Sequence, residues 1–455
     1  MMKQTPRPHA LICGLTAALA VSSSGVALAR QAAPTAKPAT PQFPPPADFA
    51  GVAGSPAELA SIAALCGPNR NARDGYAPSP AFAGQTKAPL VAGTQGYVVE
   101  QVAKIERPFG MAFLPTGKML ITFRNGGMRM VGQDGVVSEP LENVPQILNP
   151  RIGAGMFDVI LDRDFARNRT IYFTYYTKGP EDTVGLGRVA SARLSRDEKR
   201  LEDVKVLRAG ADILPRRIVQ RRDGTLLIAS AGDLGDVGSS PQDLSSQSGK
   251  VLRINTDGSI PKDNPYLSDL KANPAVWAIG FRDIHAAVIH PRTGDLWTAE
   301  NEPMGGDELN VIRPGKNYGF PVISYGRQNS GALIDGGKTA EAGMEQPAYY
   351  WNPSFAPSGM AIYTGSAFKG WKGNVFIGGM SGQQLVRIVM NGERVVGEEK
   401  LLMDRCQRFK VVQQGTDGFL YVLTDEPAPR QNEILRLRPA ATPPIPRMPP
   451  AAPAS

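Results

Sequence analysis

Along the middle of the chain, short apolar runs alternate with turns, and one unit recurs: a turn bearing Gly or Asn, then a β-rich strand. Six copies are legible, at Gly117-Lys-Met-Leu-Ile-Thr, Arg169-Thr-Ile-Tyr-Phe-Thr, Gly224-Thr-Leu-Leu-Ile-Ala, Gly294-Asp-Leu-Trp-Thr-Ala, Gly373-Asn-Val-Phe-Ile-Gly and Gly418-Phe-Leu-Tyr-Val-Leu. An apolar strand precedes each, as in Gly110-Met-Ala-Phe-Leu-Pro and Met156-Phe-Asp-Val-Ile-Leu. Most copies are followed by another strand, as in Gly249-Lys-Val-Leu-Arg-Ile-Asn. Six units over residues 95–439 average about 57 residues, enough for a four-stranded propeller blade with its loops. No amphipathic helical stretch separates the strands, which disfavours a parallel α/β fold. The pattern predicts an all-β chain folded as a six-bladed β-propeller, with a central channel and a ligand site among the loops at one mouth.

The flanks read differently. Lys3 and Arg7 precede an apolar run from Ala10 to Ala20, and Ala27-Leu28-Ala29 has the small-residue spacing of a signal-peptidase site. Residues 1–29 are therefore expected to be an export signal, giving a periplasmic or secreted protein. The run is too short for a stable membrane span, and no later stretch is long enough. Residues 30–94 are expected to hold an Ala/Pro-rich linker and one short helix, announced by the capping box Ser55-Pro56-Ala57-Glu58. Residues 440–455 read as a disordered Pro/Ala tail.

With 42% hydrophobic residues the chain has material for a large core, and its 49 Gly and 40 Pro fit many short strands joined by turns. The net charge of +8 falls to +6 once the first 29 residues are removed with Lys3 and Arg7. Apart from Arg216, Arg217, Arg221 and Arg222 the surplus is scattered and carries no interleaved aromatics, so nucleic acid is not an expected partner. Cys66 and Cys406 would remain after export, compatible with a disulfide or with two free thiols.

Candidate chemistry is sparse. Only His285 and His290 would survive export, and there is no nucleophile elbow, zinc-protease helix or phosphate loop. His290, before Pro291, reads as structural. His285 follows Arg282 by three residues, in the loop entering the fourth unit. The densest polar loop runs from Glu300 to Asn310, and Gly305-Gly306 lets backbone carbonyls turn inward; hard oxygen donors of this kind suit Ca²⁺. A solvated acidic turn is the plainer alternative.

At that loop the sequence resembles a known family. The run Gly306-Asp-Glu-Leu-Asn-Val-Ile-Arg-Pro-Gly-Lys-Asn-Tyr-Gly-Phe-Pro321, with Gly249 to Asn255 and Ala356 to Met360, is similar to the glucose/sorbosone dehydrogenases, soluble PQQ-dependent aldose sugar dehydrogenases. The resemblance implies a six-bladed propeller that oxidises the C1 hydroxyl of an aldose and passes electrons to a periplasmic acceptor, using PQQ and Ca²⁺. It places Glu308 and the carbonyl of Tyr318 at calcium positions, with Asp307 in support, and the carbonyls of Glu302 and Pro303 near the cofactor's calcium. Arg282 and Arg408 match cofactor-contacting arginines. Asp283 stands where the family has Asn, Lys410 where it has the second Arg of a pair, and Ser381 where some members use Lys. Gly153 stands in place of a cofactor-binding Gln, and Asn329 in place of an aromatic. The family's catalytic His falls on Ile213, which leaves His285 as a replacement base. The alternative is a propeller that binds a carbohydrate or protein without oxidising it.

Overall fold

Strands buried on both faces read as continuous apolar runs rather than as alternation, and that is how this chain builds its sheets. The structure is a computed structural model that describes residues 76–91, 93, 95–147, 155–178, 185–232, 240–427 and 430–440. The expected export signal, the Ser55 capping box, Cys66, Gly153 and the Pro/Ala tail from 441 onward lie outside the described residues.

Strand β1 (Tyr97–Ile105) comes first. Blade one holds β2 (Pro108–Phe113), β3 (Met119–Phe123) and β4 (Met128–Val131), and blade two holds β5 (Gly155–Leu161), β6 (Thr170–Lys178), β7 (Gly185–Leu194) and β8 (Leu201–Gly210). Blade three is β9 (Pro215–Gln220), β10 (Leu226–Ser230), β11 (Lys250–Ile254) and β12 (Val276–Ile279). Blade four is β13 (Ile284–Ile289), β14 (Leu296–Glu300), β15 (Asp307–Ile312) and β16 (Tyr349–Trp351). Blade five is β17 (Pro357–Ile362), β18 (Val375–Gly379), β19 (Leu385–Asn391) and β20 (Arg394–Leu401). Blade six joins β21 (Phe409–Gln414), β22 (Leu420–Thr424) and β23 (Asn432–Pro439) to β1, which closes the ring.

The six recurrent units are thus the second strands of the six blades, β3, β6, β10, β14, β18 and β22. Their entry turns share a left-handed residue: Gly117, Gly224, Gly294, Gly373 and Gly418 have φ between 80° and 86°, and in blade two Arg169 takes φ 55° instead. Only Gly adopts that conformation without a steric cost, which is why it marks the repeat.

Each pair of neighbouring blades encloses its own apolar cluster, and alternate residues of one strand serve opposite clusters. On β10, Leu226 and Ile228 pack toward blade two, whereas Leu227 and Ala229 pack toward blade four. A fully buried Leu or Ile contributes about 1.5–3 kcal/mol, so these interblade layers carry most of the fold's stability. The inner strands β2, β5, β9, β13, β17 and β21 stand side by side around the axis.

Candidate functional site

All six inner strands run the same way around the axis, so their first residues gather at one mouth. Phe109 of β2, Phe157 and Asp158 of β5, Arg216 and Arg217 of β9, His285 of β13, Ser358 of β17 and Lys410 of β21 are the residues so placed, with Asp283 just ahead of β13. The hairpin loops between second and third strands add Arg124, Asn301 to Gly306, Met380 and Asp425.

Arg217 crosses the axis. Its Nε donates to the His285 carbonyl at 2.6 Å, one terminal nitrogen to Asp158 Oδ1 at 3.2 Å, and the other to the Lys410 carbonyl at 3.2 Å. Asp158 also accepts the Ile218 N–H at 3.2 Å. Phe109 lies among the cations, with Lys410 Nζ 4.4 Å from its ring centre, and the guanidinium groups of Arg217 and Arg124 at 5.2 and 5.4 Å. Arg216 stacks on Phe157 at 5.3 Å and pairs through Nε with Asp283 Oδ1 at 3.2 Å. The other Asp283 oxygen lies 2.9 Å from His285 Nε2, whereas His285 Nδ1 is buried without a hydrogen-bond partner.

The electrostatics follow from burial and crowding of like charge. Desolvation pushes the His285 imidazole down to about 3 against the pull of Asp283, so the ring is neutral at physiological pH. Burial would raise the Asp283 carboxyl, but His285, Arg216 and Arg282 reverse that and hold it below the usual carboxylate range. Burial, with Arg124, Arg217 and Arg216 nearby, drops Lys410 well below an ordinary ammonium, and Asp425 opposes the shift from 3.9 Å. Five guanidinium groups (Arg124, Arg216, Arg217, Arg282 and Arg408) face three carboxylates, Asp158, Asp283 and Asp425, with the Lys410 amine among them. The mouth has an excess of positive charge in a desolvated setting, a seat for a polyanionic ligand.

Beside it, the hairpin between β14 and β15 concentrates negative charge. Glu300 and Glu308 are direct cross-strand partners, both buried, and share the Asn310 amide at 3.2 and 2.9 Å. Burial raises Glu300 to about 7, with the Asp283 charge adding to the shift, and raises Glu308 well above its usual value, with Glu300 and Asp307 adding to it. Glu302 is likewise raised by burial, and its Oε2, with Asn301 Oδ1, is buried without a partner. Asp307 is spent on architecture: Oδ1 accepts the Glu302 N–H at 2.9 Å, and Oδ2 accepts Ser354 Oγ and the N–H groups of Phe355 and Ala356 at 2.7, 2.8 and 2.9 Å. Arg282 ties this hairpin to the mouth, donating from its backbone to Glu300 Oε2 at 2.8 Å and from its guanidinium to the Asn301 carbonyl at 2.6 Å.

The propeller axis thus carries a cationic mouth with an acidic hairpin on its rim. The family model described as Glucose / Sorbosone dehydrogenase matches residues 105–436. The chain belongs to the glucose/sorbosone dehydrogenase family. It is 36% identical over 346 residues to the aldose sugar dehydrogenase YliI of Escherichia coli (strain K12), covering 74% of this chain and 91% of that protein. The structure of the soluble aldose sugar dehydrogenase from Escherichia coli in the apo form superposes with a TM-score of 0.70 at 34% identity, covering 76% of this chain and all of that one. An aldose sugar dehydrogenase from Streptomyces coelicolor, solved in a PQQ-bound form, shares the fold at a TM-score of 0.59 and 23% identity, covering 77% of this chain and 100% of its own.

Of the site residues expected from sequence, Arg282, Asp283, His285, Arg408 and Lys410 converge on the mouth. Ser381 sits in the turn after Met380, whose sulfur is 3.6 Å from Lys410 Nζ. Glu302, Pro303, Asp307 and Glu308 share the acidic hairpin, and Tyr318 stacks on Phe281, next to Arg282, with ring centres 5.0 Å apart. Among the described residues no group of three or more His, Cys, Asp or Glu side chains is set to hold a metal ion. Ile213 is buried in the apolar layer between blades two and three, and Asn329 is exposed in the loop beyond β15. Sequence reasoning missed Arg124, Asp158, Arg216, Arg217, Phe109 and Phe157 as site residues. Their common signal is position: nearly all lie within four residues of the start of an inner strand.

Proposed function

We propose that this family member is an exported PQQ- and calcium-dependent dehydrogenase that oxidises the C1 hydroxyl of aldose sugars. The observation that carries the reading is the cationic mouth. PQQ is a tricarboxylate quinone, and the guanidinium groups of Arg216, Arg282 and Arg408 provide charge for its carboxylates, with the buried Lys410 amine beside them as a hydrogen-bond donor. The relative solved in a PQQ-bound form supports the same cofactor. When bound, the quinone supplies the two-electron acceptor for the sugar's C1 hydrogen. The chain's own residues bind and orient it, exclude water and hold the substrate proton.

Calcium fits the acidic hairpin in kind. The unpartnered oxygens of Asn301 and Glu302 and the crowded carboxylates of Glu300 and Glu308 are hard donors whose repulsion a divalent cation relieves. The carbonyls of Glu302 and Pro303 and the Glu308 and Tyr318 positions are the proposed ligands, and Asp307 holds the loop that presents them. Ser381 is proposed to complete the cofactor pocket beside Lys410.

One observation favours the second reading, a propeller that binds a carbohydrate or protein ligand without turnover: Ile213 buries an apolar side chain at the family's base position. The test uses purified protein with PQQ and Ca²⁺, calorimetry for cofactor uptake, and dye reduction with a panel of aldoses. Micromolar or tighter cofactor binding that weakens as salt is raised, with aldose-dependent dye reduction, is expected. Absence of PQQ uptake overturns the enzyme reading, and uptake without turnover leaves the binding propeller.

A further inference from the structure

His285 is one of two histidines in the described residues, and its surroundings differ from those of an ordinary structural imidazole. The residue is 6% exposed. Asp283 Oδ2, 2.9 Å from Nε2, accepts the Nε2 proton, and Arg216 Nε holds the other oxygen of the same carboxylate at 3.2 Å. The Arg217 guanidinium fixes the backbone by donating to the His285 carbonyl at 2.6 Å. With Nε2 protonated, Nδ1 is left bare, and no protein group meets it. A buried acceptor without a partner is costly, and such costs persist where a ligand donor completes the bond. Two elements make the set: β9 supplies both arginines, and the segment entering β13 supplies the Asp and the His.

We propose that His285 Nδ1 accepts the proton of the sugar C1 hydroxyl, with Asp283 and Arg216 as positioning residues that hold the imidazole in the Nε2–H form. This rests on the oxidation reading above. The hydroxyl proton passes to Nδ1, forming an imidazolium beside the Asp283 carboxylate. The C1–H bond breaks with its electron pair leaving as hydride to the quinone oxidant, and the C1–O bond becomes a carbonyl. The logic is that of any base oriented by a carboxylate: the acid fixes the tautomer and then faces the charge that develops. The groups facing the ring are Asp283 from its own segment, Arg216 and Arg217 from β9, and Lys410 from β21. The cations among them depress its basicity, and a carboxylate-bearing cofactor seated against Arg216 and Lys410 offsets them, so the base strengthens when the site is filled. The assignment converts Asp283 from a cofactor contact to an orienting group, and it accounts for a family member whose usual base position is Ile213.

The test has two readouts. The first is ¹⁵N NMR of the cofactor-free protein, with the His285 resonance assigned by its loss in His285→Gln. The expected result is a neutral Nε2–H tautomer with bare Nδ1 down to about pH 4, and loss of that preference in Asp283→Asn. The second compares variants loaded with PQQ and Ca²⁺. His285→Gln is expected to lower kcat about 100-fold or more with the cofactor Kd within threefold of wild type, and Asp283→Asn at least about 10-fold. His290→Gln, at a turn remote from the mouth, retains wild-type turnover. An Nδ1–H tautomer, or a His285→Gln enzyme within threefold of wild-type kcat, overturns the base assignment while leaving the oxidation reading intact. A wild-type protein that takes up no PQQ overturns the oxidation reading and the base role with it, whatever the tautomer.

Discussion

Arg217 spends all three guanidinium nitrogens on three different blades, through Asp158, the His285 carbonyl and the Lys410 carbonyl. Asp158 is buried enough that its carboxyl is raised above the usual value even with Arg217 beside it. Removing the guanidinium leaves that carboxylate uncompensated, so Arg217→Met is expected to destabilise the propeller by about 3–5 kcal/mol. Adding Asp158→Asn should return part of the loss. Urea denaturation of the two single variants and the double measures both, and a double variant no better than Arg217→Met refutes the pairing. Glu300 gives the pH counterpart. Its carboxyl is raised by burial to about 7, so the stability it contributes is complete below about 4.5 and is lost as pH rises through 7. Without divalent cations, Glu300→Gln should melt higher than wild type at pH 8 and no higher at pH 4.5. Equal melting of the two proteins at pH 8 would show that ionising the buried Glu300 carboxyl costs the fold nothing.

At the scale of elements, the segment before the first strand docks as a strap over blades four and five. Gln85 is its keystone and is fully buried. Its Nε2 donates to the Pro347 carbonyl at 3.1 Å, its Oε1 accepts the Ala81 N–H at 2.7 Å and Tyr325 OH at 3.2 Å, and its carbonyl accepts the Tyr350 N–H at 2.8 Å. Tyr76 lies under the Arg327 guanidinium at 4.7 Å, and Arg327 bonds to the Met304 carbonyl at 3.1 Å, so the strap reaches the acidic hairpin in two steps. Gln85→Ala strands several of these groups in a dry interface and is expected to cost about 1–3 kcal/mol by denaturation. An unchanged midpoint would show that the strap is not docked in solution. The strap was illegible in sequence because residues 76–91 carry no repeat and no apolar period; their bonds run through backbone groups and one amide. The sulfur at Cys406 is disulfide-bonded, which resolves the thiol question for that residue, and the part assigned to Cys66 lies outside the described residues.

For the whole molecule, closure depends on β1 pairing with β23 across more than 300 residues of chain, from Tyr97↔Pro439 to Ile105↔Asn432. A chain begun after Ile105 leaves blade six with an open edge and removes Ala103 and Ile105 from the layer against blade one. It should lose the single cooperative unfolding transition, as followed by calorimetry, and a sharp wild-type-like transition would show that closure is dispensable. The repeat, the blade count and the family were legible in the residues because a blade's second strand sees the same surroundings six times. A left-handed turn and two buried faces impose the same apolar run at each occurrence and a Gly at five of the six, Arg169 taking its place in blade two. Arg282, Arg408, Lys410 and the acidic hairpin were legible because they sit in long motifs. What only folding decided is which of the scattered charges meet. Arg216 and Arg217 look in sequence like half of a basic run with Arg221 and Arg222, yet the first two begin an inner strand and are buried at the axis, whereas the second two lie at its far end. Charge along a chain carries no record of the ring closure that brings six strand starts together, and the partners of Arg217 lie 59, 68 and 193 residues away.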